Sequence, residues 1–319
     1  MQVLLFAFHI LVFPGLLFEI LMGILLLGTC NKLVARMQNR VGPPIIQPWY
    51  DFLKCCGKET IVPRTAKRNI YLTIPYIGLG IIMSTALFVP FAGTAVFSGQ
   101  SDLIVILYLL TFVSVCMIIG AAASSSPWAG VGLSREMVAM ISYELPFVLV
   151  ILAVAREAGR GTEAGMTFSL AGIVAFQQAN GSFFLHPALI PAWIAMLFVI
   201  PCEIGMHPFD VAEAETEICE GTLAEYSGKP LAAFKLTHCI KLFVMTSLFT
   251  AMFCGGISTG ITVLNVLLVI LICFVVMFIS MALPHGICAR FKTEQIFKFY
   301  WTFVAGIALI SLILVWCGF

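Results

Sequence analysis

A short stretch of this sequence is rich in carboxylates and contains no basic residue. Six of the chain's 16 acidic residues fall within it: Asp210, Glu213, Glu215, Glu217, Glu220 and Glu225. Two carboxylates about 4 Å apart repel by roughly 4 kcal/mol at an effective dielectric constant of about 20, which corresponds to about 3 pKa units. Carboxylates crowded in this way must hold protons at neutral pH and can pass them on. The segment is therefore predicted to be part of a proton path.

The spacing of these acids predicts that several of them share one face of a helix. At about 100° per residue, a stripe about 80° wide contains four of the acids and excludes Glu215. The four are Asp210, Glu213, Glu217 and Glu220. Two simpler explanations stay open. Asp210 and Glu213 have the spacing of a capping box at a helix N-terminus, and the other two acids could form a solvated face.

Ionisable residues also occur inside long apolar stretches, where a charge is costly and marks a functional candidate. Glu144 is followed by Pro146, which frees a backbone carbonyl group and can admit water. Lys241 lies near the start of its stretch and could either extend to the surface or pair with a carboxylate. Glu203 ends another stretch, and Glu19 could be neutral and face a neighbouring helix. We assign Glu144, Glu203 and Lys241 to the same proton path as the acidic segment.

The sequence predicts no metal or cofactor site within this chain. Its 11 Cys residues form no C-x-x-C pair, and its five His residues show no metal-ligand spacing with a third ligand. His207 borders the acidic segment and His238 lies near Lys241, so either could relay protons, although a packed histidine is the commoner case.

The elements that must position these residues are membrane-spanning helices. The chain is 61% apolar and 10% charged, whereas a soluble chain is about 25% charged. About 20 apolar residues cross a bilayer. We predict an all-α, polytopic membrane protein with one transmembrane domain over residues 1–319. Its eight or so helices are predicted at 3–30, 71–97, 103–123, 137–155, 188–204, 234–255, 261–283 and 296–316, with a short interfacial helix at 168–176.

Most of the chain's 17 Lys and Arg residues fall in loops that share one side of the predicted bundle. Basic loops are retained in the cytoplasm, so these loops are predicted to be cytoplasmic and both termini to lie outside the cell membrane. The formal net charge of +1 offers no basic field for binding nucleic acid.

Three stretches of the chain together carry a family resemblance: ARMQNRVGPP at 35–44, SREMVAMISYELP at 134–146 and PFDVAEAETEICEGTLAEYSG at 208–228. They resemble the membrane subunit that anchors the peripheral arm of respiratory complex I, and its counterpart in energy-converting nickel–iron hydrogenases. The third motif is long and specific, and the eight-helix plan is similar too. The resemblance therefore covers essentially the whole chain.

Two details make the chain more similar to the hydrogenase branch. The compact GPPIIQPW turn after the first helix resembles that branch, whereas complex I has a longer loop there. Cys30 stands where the complex I branch has an acid. The resemblance implies a subunit that couples ferredoxin-driven hydrogen formation to export of protons or sodium ions. It also implies that this chain is a non-metal-binding part of an oxidoreductase.

The resemblance also implies partners. These are the hydrogenase large and small subunits and an iron–sulfur subunit, which would hold the nickel–iron centre and the iron–sulfur clusters, and an antiporter-like membrane subunit that would face the carboxylates. Arg36, Arg40 and Glu225 are expected at the partner interface.

Other functions stay open at this point. Within the family, the alternative is a quinone- or phenazine-binding subunit of a complex I-like dehydrogenase, which the neighbouring genes would distinguish. A stand-alone secondary transporter would show inverted repeats with broken helices, and the sequence shows no such repeat. A passive structural anchor would need no buried carboxylates.

Overall fold

Helices form most of the structure, a computed structural model that describes residues 8–93, 97, 101–160, 165–257 and 260–318. Residues 3–7 of the first predicted span and the side chain of Glu215 lie outside this description. Within the described residues there is no β-strand, and eight helices are long and apolar enough to cross a membrane. The prediction of an all-α protein with about eight membrane-spanning helices is confirmed.

The long helices form one bundle, and three shorter helices among the described residues, α2, α6 and α8, lie in the loops between them. In chain order the helices are α1 (Leu16–Met37), α2 (Gln47–Gly57), α3 (Arg68–Phe88), α4 (Leu103–Ser124), α5 (Pro127–Ala158), α6 (Leu170–Asn180), α7 (Ile190–Ile204), α8 (Glu215–Ile218), α9 (Gly228–Cys254), α10 (Thr262–Ile287) and α11 (Thr293–Trp316). Helices α10 and α11 each contain a π-helical turn, at Phe278–Ala282 and Phe299–Val304.

Helix α9 lies at the centre of the bundle. In its most apolar stretch 94% of the residues are buried, yet it is the least apolar of the eight described spans. Helix α10 is the most apolar span and only 33% buried. This inverse relation is expected in a membrane, because lipid-facing side chains must be apolar while polar side chains turn toward the protein. The centre of the bundle is therefore where α9 places its polar residues.

Glycine permits α1 to approach α9 closely. A Cβ atom added at Gly23 would lie 2.4 Å from the carbonyl oxygen of Cys239, a distance too short for any side chain at this position. Small residues at such crossings let helix backbones pack directly against each other in a membrane. This contact fixes the wall of the cavity described below, which both helices line.

Several loops meet at one end of this bundle. Asn31 at the end of α1, Asp51 in α2, Asp210 in the acidic segment and Arg290 between α10 and α11 line the same cavity. Arg160 lies at the opposite end, where it donates a hydrogen bond to the carbonyl oxygen of Val315 near the end of α11. The side of the membrane that each end faces stays a prediction.

Several predicted boundaries differ from the structure: α1 continues to Met37, α3 ends at Phe88 and α9 begins at Gly228. Helix α5 begins at Pro127 rather than near residue 137, so Arg135 lies inside a helix and not in a loop. Apolar length alone could not detect this extension, because the helix carries Arg135 beyond the apolar stretch to an ion pair with Glu217. The short helix predicted at 168–176 is α6, which runs from Leu170 to Asn180.

Candidate functional site

The acidic segment is folded as a compact loop, and the prediction of a continuous helix is wrong. After α7 ends at Ile204, Gly205 follows with a φ of 79°, and only the short helix α8 is regular before a 3-10 turn at Gly221. A Cβ atom added at Gly221 would lie 2.1 Å from the carbonyl oxygen of Ala212. In a continuous helix these two residues would be about 13 Å apart along the axis. The chain therefore folds back on itself, and glycine is required at the point of contact.

The capping-box explanation for Asp210 and Glu213 is also wrong. Helix α8 begins at Glu215, after Ala214, and has no side-chain cap. Glu220 adopts a left-handed backbone conformation, with a φ of 66°, which ends any helical periodicity through the segment. The positions of the acids are consequently set by the loop and not by a helical face.

Three of the four acids assigned to the stripe line one cavity of about 480 Å³: Asp210, Glu213 and Glu220. Lys235, His207, His238, His285 and Arg290 line it as well, together with Asp51 from α2. A cavity of this size with several ionisable side chains in its wall is large enough to hold several waters. It brings proton donors and acceptors from α2, the acidic loop, α9 and the last loop to one place.

Glu217 does not share this cavity. Its side chain is half exposed and lies 2.5 Å from the Arg135 guanidinium on α5. Arg135 also donates a hydrogen bond to the carbonyl oxygen of Val211, at 3.3 Å. Arg135 thus binds the acidic loop at two points, the carboxylate of Glu217 and the carbonyl oxygen of Val211. The side chain of Glu215 lies outside the described part of the chain.

Asp210 and Glu213 both have raised pKa values. Burial raises the pKa of Asp210 above its ordinary value, and the neighbouring Arg290 opposes this shift. Burial also raises the pKa of Glu213 to about 8, and the negative charge of Asp210 contributes to the same shift. This shift favours the protonated form of Glu213 at neutral pH.

A buried ion pair lies deeper in the bundle. The Lys241 ammonium is 2.9 Å from a carboxylate oxygen of Glu203, and both side chains are almost fully buried. Lys241 also donates a hydrogen bond to the Ser114 hydroxyl, at 2.9 Å, and that hydroxyl lies 3.3 Å from the Tyr143 hydroxyl. Of the two possibilities for Lys241, the structure shows pairing with a carboxylate.

Glu136 is a functional candidate that the prediction from sequence missed. It lies within electrostatic range of Lys241, Glu203, Asp210 and Glu213. Glu136 therefore interacts electrostatically both with acids of the cavity wall and with the buried pair. Glu136 precedes Tyr143 by two helical turns on α5, so helical periodicity through the SREMVAMISYELP motif could have found it.

Glu144 is half-buried, and it makes no hydrogen bond or ion pair with the described residues, so its assignment to the proton path stays a prediction. It does lie within electrostatic range of Glu203. His207 and His285 have ring centroids 4.7 Å apart, but no three His, Cys, Asp or Glu residues in the described ranges are arranged to hold a metal ion.

With this geometry established, sequence comparison decides the family. The family model described as NADH dehydrogenase matches residues 9–316. The chain belongs to the NADH dehydrogenase family.

Relatives with assigned roles in multisubunit complexes are similar over most of their length. Hydrogenase-4 component C of Escherichia coli (strain K12) is 34% identical over 227 residues, which cover 71% of this chain and 69% of that protein. An NADH-quinone oxidoreductase subunit of Syntrophotalea carbinolica is 29% identical over 309 residues, which cover 90% of each chain. The resemblance drawn from the three sequence motifs is confirmed.

A solved structure agrees with this membership of the NADH dehydrogenase family. A chain of the membrane-bound sulfane sulfur reductase, an archaeal respiratory membrane complex, superposes with a TM-score of 0.87 at 29% identity. The match covers 99% of the present chain and 100% of the other. This NADH dehydrogenase family member is a multi-pass membrane subunit of a complex I-like complex.

The residues expected at the partner interface of this family member lie in different settings. Arg36 is exposed in the last turn of α1, and Arg40 donates a hydrogen bond to the Gln38 side chain. The backbone carbonyl oxygen of Glu225 accepts a hydrogen bond from the Tyr71 hydroxyl, at 2.6 Å, at the start of α3. Arg36 and Arg40 are therefore accessible on the surface, whereas Glu225 is partly held by its own chain.

Proposed function

We propose that this chain anchors the soluble arm of a ferredoxin-dependent energy-converting hydrogenase and couples its electron transfer to translocation of protons or sodium ions. The translocated charge would enter a carboxylate-lined path at the cavity and pass toward the buried ion pair. The path comprises the following residues of this chain: Asp210, Glu213, Glu220, Glu136, Glu144, Glu203 and Lys241.

The observation that carries this proposal is the electrostatic interaction of Glu136 with acids of the cavity wall and with the buried Lys241–Glu203 pair. Asp210 and Glu213 line the cavity, Glu136 lies within range of both, and Glu136 is also within range of the Lys241–Glu203 pair. A passive anchor would have no reason to retain charged groups in a membrane at this cost. A charge arriving at one group changes the preferred protonation state of the next.

The acidic loop has a second role in this proposal. Glu217 is exposed and paired with Arg135, so we assign it to holding the loop rather than to moving protons. The proposed path therefore omits Glu217, which the helical stripe had included. A substitution at Glu217 tests the stability of the loop, whereas a substitution at Glu220 tests whether the cavity acids are needed for translocation.

The hydrogenase branch is favoured by the relation to Hydrogenase-4 component C and by the compact turn after α1. In this proposal the nickel–iron centre and the iron–sulfur clusters belong to the hydrogenase large and small subunits and an iron–sulfur subunit, docked on Arg36 and Arg40. An antiporter-like membrane subunit faces the carboxylates. The loops that line the cavity face the cytoplasm, and both termini lie outside.

The test is coupling in proteoliposomes that contain the intact purified complex. Reduced ferredoxin supplies electrons, and hydrogen production and membrane potential are recorded together. Glu203→Gln keeps the shape of the side chain but cannot carry a charge, so it should leave hydrogen production measurable and lower the potential generated per hydrogen several-fold. Glu294→Gln, at an exposed site near the start of α11, is the matched control. Unchanged coupling in Glu203→Gln refutes the path.

A second candidate function has its own supporting observation. An apolar groove of about 390 Å³ between α1 and the start of α2 is lined by Leu21, Ile24 and Trp49 among others. Ile24 also lines the polar cavity, so the groove adjoins it. This arrangement suits a quinone or phenazine, which needs an apolar approach and a polar end. Quinone-dependent electron transfer by the purified complex, without hydrogen production, would select this alternative.

A further inference from the structure

The turn that opens the acidic loop is held by the loop between the last two helices. The backbone N–H of Phe291 donates a hydrogen bond to the carbonyl oxygen of Pro208, at 3.1 Å. The rings of Phe209 and Phe291 stack, with centroids 5.4 Å apart and planes 11° from parallel. Tyr300, in the π-helical turn of α11, packs edge-on against Phe209 at 5.2 Å. These contacts bring residue 290 to a defined position beside the loop.

Arg290 uses this position to contact the acidic loop at two points. One guanidinium nitrogen is 3.1 Å from a carboxylate oxygen of Asp210, and another donates to the Thr216 hydroxyl, also at 3.1 Å. The planar guanidinium holds its donors in a rigid fork, so two simultaneous contacts fix the direction of the carboxylate as well as its charge. The side chains of Asp210 and Arg290 are both 22% exposed, so water screens the pair only in part.

Asp210 lies where opposing electrostatic influences meet. Arg290 and His207 favour its ionised form, and the imidazole of His285 packs against His207 on the same wall. Burial favours the protonated form, and the carboxylates of Glu136 and Glu213 lie within range of Asp210. A group balanced in this way changes its protonation when one neighbouring charge is removed.

We propose that Arg290, held in place by the stacking of Phe291 on Phe209, is a positioning residue that fixes the direction and the negative charge of the Asp210 carboxylate at the cavity wall. The proposal rests on the function proposed above only for its consequence, which is that Asp210 accepts protons from the cavity. The contact itself, and its effect on Asp210, can be measured without any ion translocation.

The direct test is a pH titration of Asp210 by infrared spectroscopy on the purified complex. The carbonyl band of the protonated acid is assigned by its loss in Asp210→Asn. An arginine beside an aspartate lowers its pKa by about 1–3 units, so Arg290→Gln should move the midpoint upward by about that amount. Arg290→Lys keeps the charge and should restore most of the shift. Lys292→Gln removes the same charge from an exposed site in the same loop and should leave the midpoint unchanged.

A second variant keeps the test decisive if Arg290→Gln fails to assemble. Phe291→Leu removes the aromatic stack and retains Arg290. If the stack holds Arg290 in place, this variant should raise the titration midpoint of Asp210 by less than Arg290→Gln does. The proposal is overturned if the variant that assembles, Arg290→Gln or Phe291→Leu, leaves the titration midpoint of Asp210 unchanged. If the midpoint moves while the pH profile of ion translocation stays that of the wild type, Arg290 positions Asp210 as inferred and the translocation path through Asp210 is refuted.

Discussion

Lys241 and Glu203 form an ion pair in the middle of the protein, with the ammonium 2.9 Å from the carboxylate and both side chains nearly inaccessible. Burying two charges costs several kcal/mol for each ion, and their attraction offsets that cost only when both partners are present. Lys241 gains a further partner in the Ser114 hydroxyl. The pair joins α7 to α9, so it bears on both stability and charge transfer.

The first prediction concerns the stability of this pair. Lys241→Met leaves Glu203 buried without its cation and should destabilise the complex by about 3–5 kcal/mol if Glu203 stays ionised. The double variant Lys241→Met with Glu203→Gln should be less destabilised than Lys241→Met alone, because no uncompensated charge remains. Thermal unfolding of the purified complexes measures this. A double variant whose loss equals the sum of the two single losses would show that the residues do not interact.

The second prediction concerns the pH dependence that Glu213 introduces. Its pKa is raised from 4.5 to about 8, so the folded protein binds a proton that the unfolded chain has released between these pH values. Stability should therefore fall as the pH rises from 4.5 through 8. Glu213→Gln should flatten this slope, measured as the unfolding temperature against pH. Asp210→Asn should lower the pKa of Glu213, because a repelling negative charge is removed.

The third prediction separates two acids of the loop. Glu217→Gln should cost about 1 kcal/mol or less, because an ion pair this exposed is weak, and ion translocation should stay near the wild-type level. Glu220→Gln alters the cavity wall and should lower translocation. The measurement is membrane potential in proteoliposomes for each variant. Equal losses at both positions would restore the single path predicted from the helical stripe.

The fourth prediction compares two acids on α5. Glu144→Gln and Glu136→Gln should each leave hydrogen production measurable and lower the potential generated per hydrogen. The loss should be larger for Glu136, because it lies within range of both the cavity acids and the buried pair, whereas Glu144 lies within range of Glu203. A larger loss in Glu144→Gln would mean that the path depends more on Glu144 than on Glu136.

The fifth prediction tests docking of the soluble arm. Arg36→Ala and Arg40→Ala should weaken the attachment of the hydrogenase subunits, and raised salt should weaken it further, because exposed charges are screened. Copurification of the soluble subunits with the membrane subunit measures this attachment. Lys298→Ala, exposed in α11, provides a comparison for loss of a basic residue. Intact copurification and hydrogen production in the Arg36 and Arg40 variants would mean that these residues only set topology.

The membrane-spanning helices could be predicted because the property that selects them is local. A run of about 20 apolar residues must form a helix in a bilayer, since no water is available to the backbone. The sequence also reveals the chemical types of the candidate residues. Lys241 and Glu203 are charges inside apolar stretches, and the third motif indicates the family. Some boundaries shifted because polar residues continue a helix beyond its apolar part, as Arg135 does in α5 and Arg36 does in α1.

The arrangement of the site was decided by contacts between residues far apart in the chain. Arg135 reaches Glu217 across 82 positions, and Arg290 reaches Asp210 across 80. These pairs, together with the close approach of Gly221 to Ala212, fold the acidic segment into a loop, so that spacing at 100° per residue no longer describes it. Periodicity reports which residues share a face only if the backbone is regular. In this protein the composition of the acidic segment determined its chemistry, and the cations packed against it determined which carboxylates meet in the cavity.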